Sequence, residues 1–270
     1  MTPSWKASGR HGPTARLLGL ILIGLIAGYL SGLFGVGGGV LIVPALVLAL
    51  GFAQRRANGT SLAAVVPISI VGAIAYLVAG HIDFAVAGIV FLGSAIGAYA
   101  GVRLLHSLSD LVLRWVFIAF LIVVAIRLVI DTPTRATDIE FTAPLMLGLL
   151  ALGLVTGTLS GLLGVGGGVI MVPILITVFE ISDLVAKGVS LLVVIPTGII
   201  ATVLSTRRGG VDLRAAAIIG GGGALTALGG AATAFILPPA IAGVLFGAFL
   251  LVIAVRMAVA AVMRQRAGKE

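Results

Sequence analysis

Gly35, Gly37, Gly38 and Gly39 stand in the stretch S-G-L-F-G-V-G-G-G-V-L-I-V-P, Ser31 to Pro44. Gly164, Gly166, Gly167 and Gly168 stand in a second copy, S-G-L-L-G-V-G-G-G-V-I-M-V-P, Ser160 to Pro173, 129 residues further on. Eleven of the fourteen positions are identical. The chemistry such a run offers is that of bare backbone. Glycines among apolar residues break a helix and leave amide N–H groups uncovered, here just ahead of a new helix that opens at Val40 and Val169. Unpaired donors at the positive end of a helix dipole attract anions. The alternative for the same glycines is close helix packing, the usual use of small residues in membrane bundles, and both readings stand at this point.

The elements that carry these glycines must be membrane-embedded. With 60% hydrophobic and 10% charged residues and a mean hydropathy of +1.27, a chain of 270 residues cannot hide its apolar surface in a water-soluble core. The apolar runs are continuous rather than alternating, which predicts helices and excludes a β-barrel. Five segments are expected in the first half: Leu17 to Phe34, Val40 to Ala53, Ser61 to Ala79, Phe84 to Val102 and Leu111 to Ile130. Their counterparts are Leu145 to Leu163, Val169 to Phe179, Val189 to Ser205, Leu213 to Leu237 and Ala240 to Met263. The same offset maps Gly59 to Gly188, Ser61 to Ser190, Pro67 to Pro196, Asp83 to Asp212 and Arg127 to Arg256, so one unit has been duplicated. This gives a tail at 1–15, a membrane repeat at 16–130, a linker at 131–142, a second repeat at 143–264 and a tail at 265–270.

The placement of Lys and Arg decides how the repeats sit. If every segment is one pass and the N-terminus is cytoplasmic, 13 of the 17 Lys and Arg residues fall inside, while Lys187 and the acids Asp83, Glu180 and Asp183 fall in outside loops. An odd number of passes then turns the second half upside down. The predicted class is an all-α integral membrane protein of two inverted-topology repeats, with both termini cytoplasmic in the cell (inner) membrane. The second segment of each repeat is short, roughly 17 to 21 Å as helix against a core of about 30 Å. Each is therefore expected to form a glycine-tipped hairpin reaching mid-depth, with Pro44 and Pro173 in the first turn of the returning helix.

Asp83 and Asp212 each precede an apolar segment and are expected as helix N-caps. Arg127 and Arg256 suit snorkelling or anion attraction. Pro67 and Pro196 suggest helix kinks, with Ser61, Ser69, Ser190 and Thr197 lining a path or satisfying freed carbonyls. Gly220 to Gly223, Gly229 and Gly230 read as packing. The three histidines are scattered without metal-site spacing, there are no cysteines, and basic residues are not interleaved with aromatics, so metal, thiolate chemistry, cofactors and nucleic acid are not expected. None of the nine acids lies mid-segment, which argues against a cation carrier, a carboxylate proton relay or a membrane hydrolase.

The doubled motif, together with A-x-G-x-S at Ala57 to Ser61 and Ala186 to Ser190, resembles the sulfite exporter TauE/SafE family of membrane permeases across roughly Leu17 to Met263. The resemblance implies transport of sulfur-containing anions such as sulfite or organosulfonates, often outward and coupled to a proton or other ion. The expected substrate-binding groups are Gly35, Gly37, Gly38, Gly39, Val40, Gly164, Gly166, Gly167, Gly168 and Val169, with the hydroxyls of Ser61 and Ser190. A channel-like anion pore with a glycine-lined filter, or a permease for another organic anion, is the alternative. The expected partners are a small anion and the lipid bilayer, and a homodimer is open.

Overall fold

The computed structural model describes residues 13–130 and 141–267. The predicted tails and linker fall largely outside these residues, although the chain is already helical from Pro13. Ten helices follow in order: α1 (Pro13–Phe34), α2 (Gly39–Leu48), α3 (Gln54–Val78), α4 (Phe84–Ser107), α5 (Asp110–Ile130), α6 (Ala143–Leu163), α7 (Gly168–Thr177), α8 (Asp183–Arg207), α9 (Leu213–Ile236) and α10 (Pro239–Ala267). Among the described residues, α1, α3, α4, α6, α8, α9 and α10 are long and apolar enough to cross a membrane. Their outer faces carry exposed Leu18, Leu22 and Ile26 on α1 and Leu147, Leu150 and Leu154 on α6, at helical spacing. Such faces need lipid rather than water, so the molecule is an all-α, multi-pass membrane protein.

Two seams of small residues set the arrangement. Gly24, Gly28 and Gly32 of α1 lie against Ile219, Gly223 and Ala227 of α9 so closely that an added Cβ would meet backbone. In the second seam, Gly153, Gly157 and Gly161 of α6 meet Val90, Ser94 and Ala98 of α4, and Gly93, Gly97 and Gly101 of α4 return the contact. In lipid, where burying apolar surface gains little, this backbone approach is what holds helices together. Contacts advance in step along both helices, so α1 runs parallel to α9 and α4 parallel to α6. The expected packing role of the later glycines holds at Gly220, Gly223 and Gly230, which meet Pro67, Ile68 and Tyr29, whereas Gly221 faces open space.

Basic residues gather at one end. Arg56 pairs with Asp212 at 3.0 Å and Arg16 reaches the same carboxylate at 3.7 Å, tying the starts of α1, α3 and α9 together. Arg208, after α8, donates to the Val102 carbonyl near the end of α4. Since α4 ends there and α6 runs parallel to α4, α6 heads toward the end from which α1 departs. Asp83 and Asp212 do cap helices, accepting from Ala85 and Val86 and from Ala215 respectively.

Several expectations need correction. Helices α2 and α7 have only 10 residues each, shorter than expected, because Gly51 turns the chain at φ 69° and Glu180, its equivalent, at φ 53°. Pro44 and Pro173 are the sixth residues of α2 and α7, past the first turn, so the carbonyls of Val40 and Val169 lose their helical donors. Helices α3 and α8 begin at Gln54 and Asp183, one to two turns before the predicted Ser61 and Val189. Their polar first turns read as loop in the sequence, yet Gln54, Asn58, Asp183 and Lys187 are buried.

Glu180 occupies the left-handed region that its repeat partner fills with glycine. Glu180→Gly should therefore stabilise the protein by about 0.5–1 kcal/mol, and Gly51→Glu should destabilise it by at least as much. Thermal unfolding in detergent reads both, and a lower melting temperature for Glu180→Gly would contradict the strain argument.

Candidate functional site

Each glycine tip is made by three left-handed residues, Gly35, Gly37 and Gly38 in one and Gly164, Gly166 and Gly167 in the other. Gly35 at φ 71° and Gly164 at φ 75° end α1 and α6, their amides bonding back to the carbonyls of Ser31 and Ser160 at 2.8 Å. Gly38 and Gly167, both at φ 79°, open α2 and α7 without any side-chain cap. A side chain at either conformation is strained, which is why glycine recurs there.

The two tips meet. A Cβ on Gly39 would lie 2.6 Å from the Val165 carbonyl oxygen, and one on Gly168 would lie 2.8 Å from the Gly35 carbonyl oxygen. The closest approach is thus backbone to backbone, and all of 31–40 and 160–169 is buried. Val65 of α3 and Val194 of α8, equivalent residues, close the contact beside Gly37 and Gly166.

Few of the backbone groups at the tips are hydrogen-bonded. Leu41 and Ile42 bond to the Gly38 carbonyl and Ile170 and Met171 to that of Gly167. The amides of Val36, Gly37, Gly38, Gly39 and Val40, and those of Val165, Gly166, Gly167, Gly168 and Val169, form no hydrogen bond among the described residues. One carbonyl of each tip is engaged across the repeat. Ser61 donates its hydroxyl to the Gly164 carbonyl at 2.7 Å, and Ser190 donates to that of Gly35 at 2.8 Å. Open amides at both tips, with two helix N-termini directed toward the junction, offer hydrogen-bond donors there.

The residues singled out from sequence are therefore brought together: Gly35, Gly37, Gly38, Gly39 and Val40 with Gly164, Gly166, Gly167, Gly168 and Val169. Ser61 and Ser190 join them as latches on the opposite tip rather than as open hydroxyls. Thr197 bonds to the Val193 carbonyl and to Ser94, away from the tips. Arg256 is exposed, and the side chain of Arg127 lies outside the described residues.

Sequence reasoning missed other parts. Ser31 and Ser160, equivalent to one another, are fully or almost fully buried with hydroxyls that have no partner among the described residues, and so is Ser69, which the sequence had already placed along a path or against freed carbonyls. Ser69 Oγ lies 3.4 Å from where a Gly37 side chain would start, and Ser160 Cβ 3.5 Å from that of Gly167. The signal was available, since Ser31 and Ser160 are the first residues of the duplicated motif. Asp183 and Lys187, expected in an outside loop, are instead buried in the first turns of α8, with Nζ to Oδ2 at 3.5 Å and the Lys187 stem packed on Gly35. An acid therefore does stand near one tip, paired to a base. Its signal was the matched Gln54 and Asn58 at the same i,i+4 spacing in the first repeat.

A model of the family "Sulfite exporter TauE/SafE" matches residues 2–128 and 149–270. The chain is 30% identical over 203 residues to "Probable membrane transporter protein YunE" of Bacillus subtilis, covering 65% of this chain and 72% of that one. It is 31% identical over 212 residues to a "Probable membrane transporter protein" of Xylella fastidiosa, covering 76% and 81%. It is 30% identical over 162 residues to a probable membrane transporter protein of Methanocaldococcus jannaschii, covering 58% and 60%. No solved structure matches.

The latch geometry is the same in both repeats, so Ser61→Ala and Ser190→Ala should each cost about 1–2 kcal/mol by leaving a buried carbonyl unpaired. Detergent-solubilised variants should show matching drops in melting temperature. Unchanged stability in both would mean that the serines do not hold the tips.

Proposed function

The chain belongs to the sulfite exporter TauE/SafE family of membrane transporters, and on that premise we propose that it carries small sulfur-containing anions, sulfite or organosulfonates, by alternating access around the junction of the two glycine tips. A family of transporters assigns a transport role rather than a catalytic one. The observation that carries the substrate class is the set of unpaired amides at the junction of two helix N-termini. Buried amides without partners cost about 1–3 kcal/mol each, and an oxyanion with three or more acceptor oxygens is a guest that offsets this for several at once.

The mechanism follows from the two repeats. They are inverted in the membrane, both termini are cytoplasmic, and the end that gathers Arg16, Arg56 and Arg208 faces the cytoplasm of the inner membrane. The backbone amides and the hydroxyls of Ser31, Ser160 and Ser69 bind the negative head, while Val65 and Val194 keep water from the junction. Rocking of the α1–α9 unit against the α4–α6 unit exposes the junction to each side in turn. Full burial of both tips favours a carrier over an open pore.

Two measurements bear on this. Purified protein in liposomes should take up labelled sulfite or a sulfonate with saturation and counterflow, and flux of cations without anions would overturn the reading. Ser31→Ala and Ser160→Ala should each weaken anion affinity about 5- to 20-fold, as expected for losing one charge-assisted hydrogen bond, without lowering the melting temperature. Unaltered affinity in both would remove the hydroxyls from the site.

A further inference from the structure

The two repeats differ at one buried place beside the tips. At the start of α3, Gln54 donates to Asn58 Oδ1 at 3.1 Å, and Asn58 donates to the Leu162 carbonyl at the end of α6 at 2.9 Å. The same positions at the start of α8 hold Asp183 and Lys187, 1% and 5% exposed, with Nζ 3.5 Å from Oδ2. Each pair supports the opposite tip from underneath. An added Cβ on Gly35 would fall 2.6 Å from Lys187 Cα, and one on Gly164 would fall 2.5 Å from Asn58 Cα. Neutral amides therefore suffice for the structural task, and the charges on one side serve something else. Burying an ion pair inside a membrane protein costs desolvation that two amides avoid, and intramembrane ionisable groups are kept where they move ions or protons.

We propose that Asp183 and Lys187 couple anion transport to protons, an inference that rests on the anion site proposed above. With the junction empty, the ammonium and carboxylate neutralise one another. An anion entering the junction draws the Lys187 ammonium, at the end of a flexible stem beside Gly35, away from Asp183. The carboxylate, left without its counter-charge in a site closed to water, takes up one proton, so anion and proton load together and the loaded site stays as neutral as the empty one. On the other side the anion leaves, Lys187 returns to Asp183 and the proton is released.

Among the described residues, groups of three elements face the pair. From α3 comes Tyr76, within electrostatic range of Asp183, its hydroxyl donating to the Gly32 carbonyl at 2.9 Å. His81, just after α3, lays its carbonyl on Gly188 and its ring 5.6 Å from that of Phe235 in α9. The α1 tip brings Gly35 backbone, and Glu180, ahead of α8, is exposed.

The test uses methanesulfonate, which stays ionised at every pH of interest, so that any proton taken up belongs to the protein. Binding to wild-type protein in detergent should weaken about tenfold for each unit by which the pH rises, across the range in which one proton accompanies the anion. In liposomes with a trapped pH dye, the anion should bring protons inward. Asp183→Asn should flatten the pH dependence and abolish anion-driven proton entry. The double variant Asp183→Gln with Lys187→Asn, which copies the Gln54 and Asn58 pair already accommodated at the equivalent site, should do the same and keeps the test sound if the single variant does not fold. Wild-type binding that is independent of pH, or a folded variant that retains the wild-type slope and proton entry, would overturn the coupling role while leaving the anion site standing. Failure of wild-type protein to bind any sulfonate or sulfite would instead overturn the anion site itself.

Discussion

A backbone amide deep in a membrane protein must find an acceptor, and this fold presses two glycine tips together backbone to backbone without giving their amides one among the described residues. Everything around the junction serves that arrangement. Left-handed Gly35 and Gly164 stop two helices early, and Gly38 and Gly167 start two short ones. Serines from the opposite repeat occupy the Gly164 and Gly35 carbonyls and leave the tip amides open. Irregular backbone at such depth persists only when buried in protein or lining a path, and here burial alone leaves the donors unpaid.

The rest of the molecule divides by stiffness. Helices α1 with α9 and α4 with α6 lock through glycine seams in which backbone touches backbone, so each pair moves as a unit. Each pair joins one helix from each repeat, and the tips hang from α1 and α6. The antiparallel α3 and α8 cross between them, with Gly72 packed on Leu191 and Gly198 on Val66 through side chains. Side-chain contacts can slide or repack where backbone contacts cannot, which places the compliant surface beside Val65 and Val194, next to the tips.

Much of this was legible in the sequence because glycine and repetition are strong signals. The duplicated motif announced two matching tips, the short apolar runs after it announced short helices, and Asp83 and Asp212 announced helix starts. The illegible part was polar. Gln54, Asn58, Asp183 and Lys187 read as loop because polarity in a membrane chain ordinarily means water, and only the fold reveals that they turn inward under the opposite tip. Ser61 and Ser190 were visible as hydroxyls near the site, but their direction depends on where the other repeat puts its carbonyls. Pro44 was misplaced by a few residues because a helix that begins on glycine carries no cap residue to mark it.

The central claim is that the two sets of tip amides form one anion site. Protein with isotope-labelled glycine, titrated with sulfite or methanesulfonate and followed by amide NMR, tests it directly. The amide signals of Gly37, Gly38 and Gly39 and those of Gly166, Gly167 and Gly168 should shift together with a single midpoint, as one ligand engages both tips. Shifts confined to one tip, separate midpoints, or signals that stay fixed while the anion binds elsewhere would contradict it.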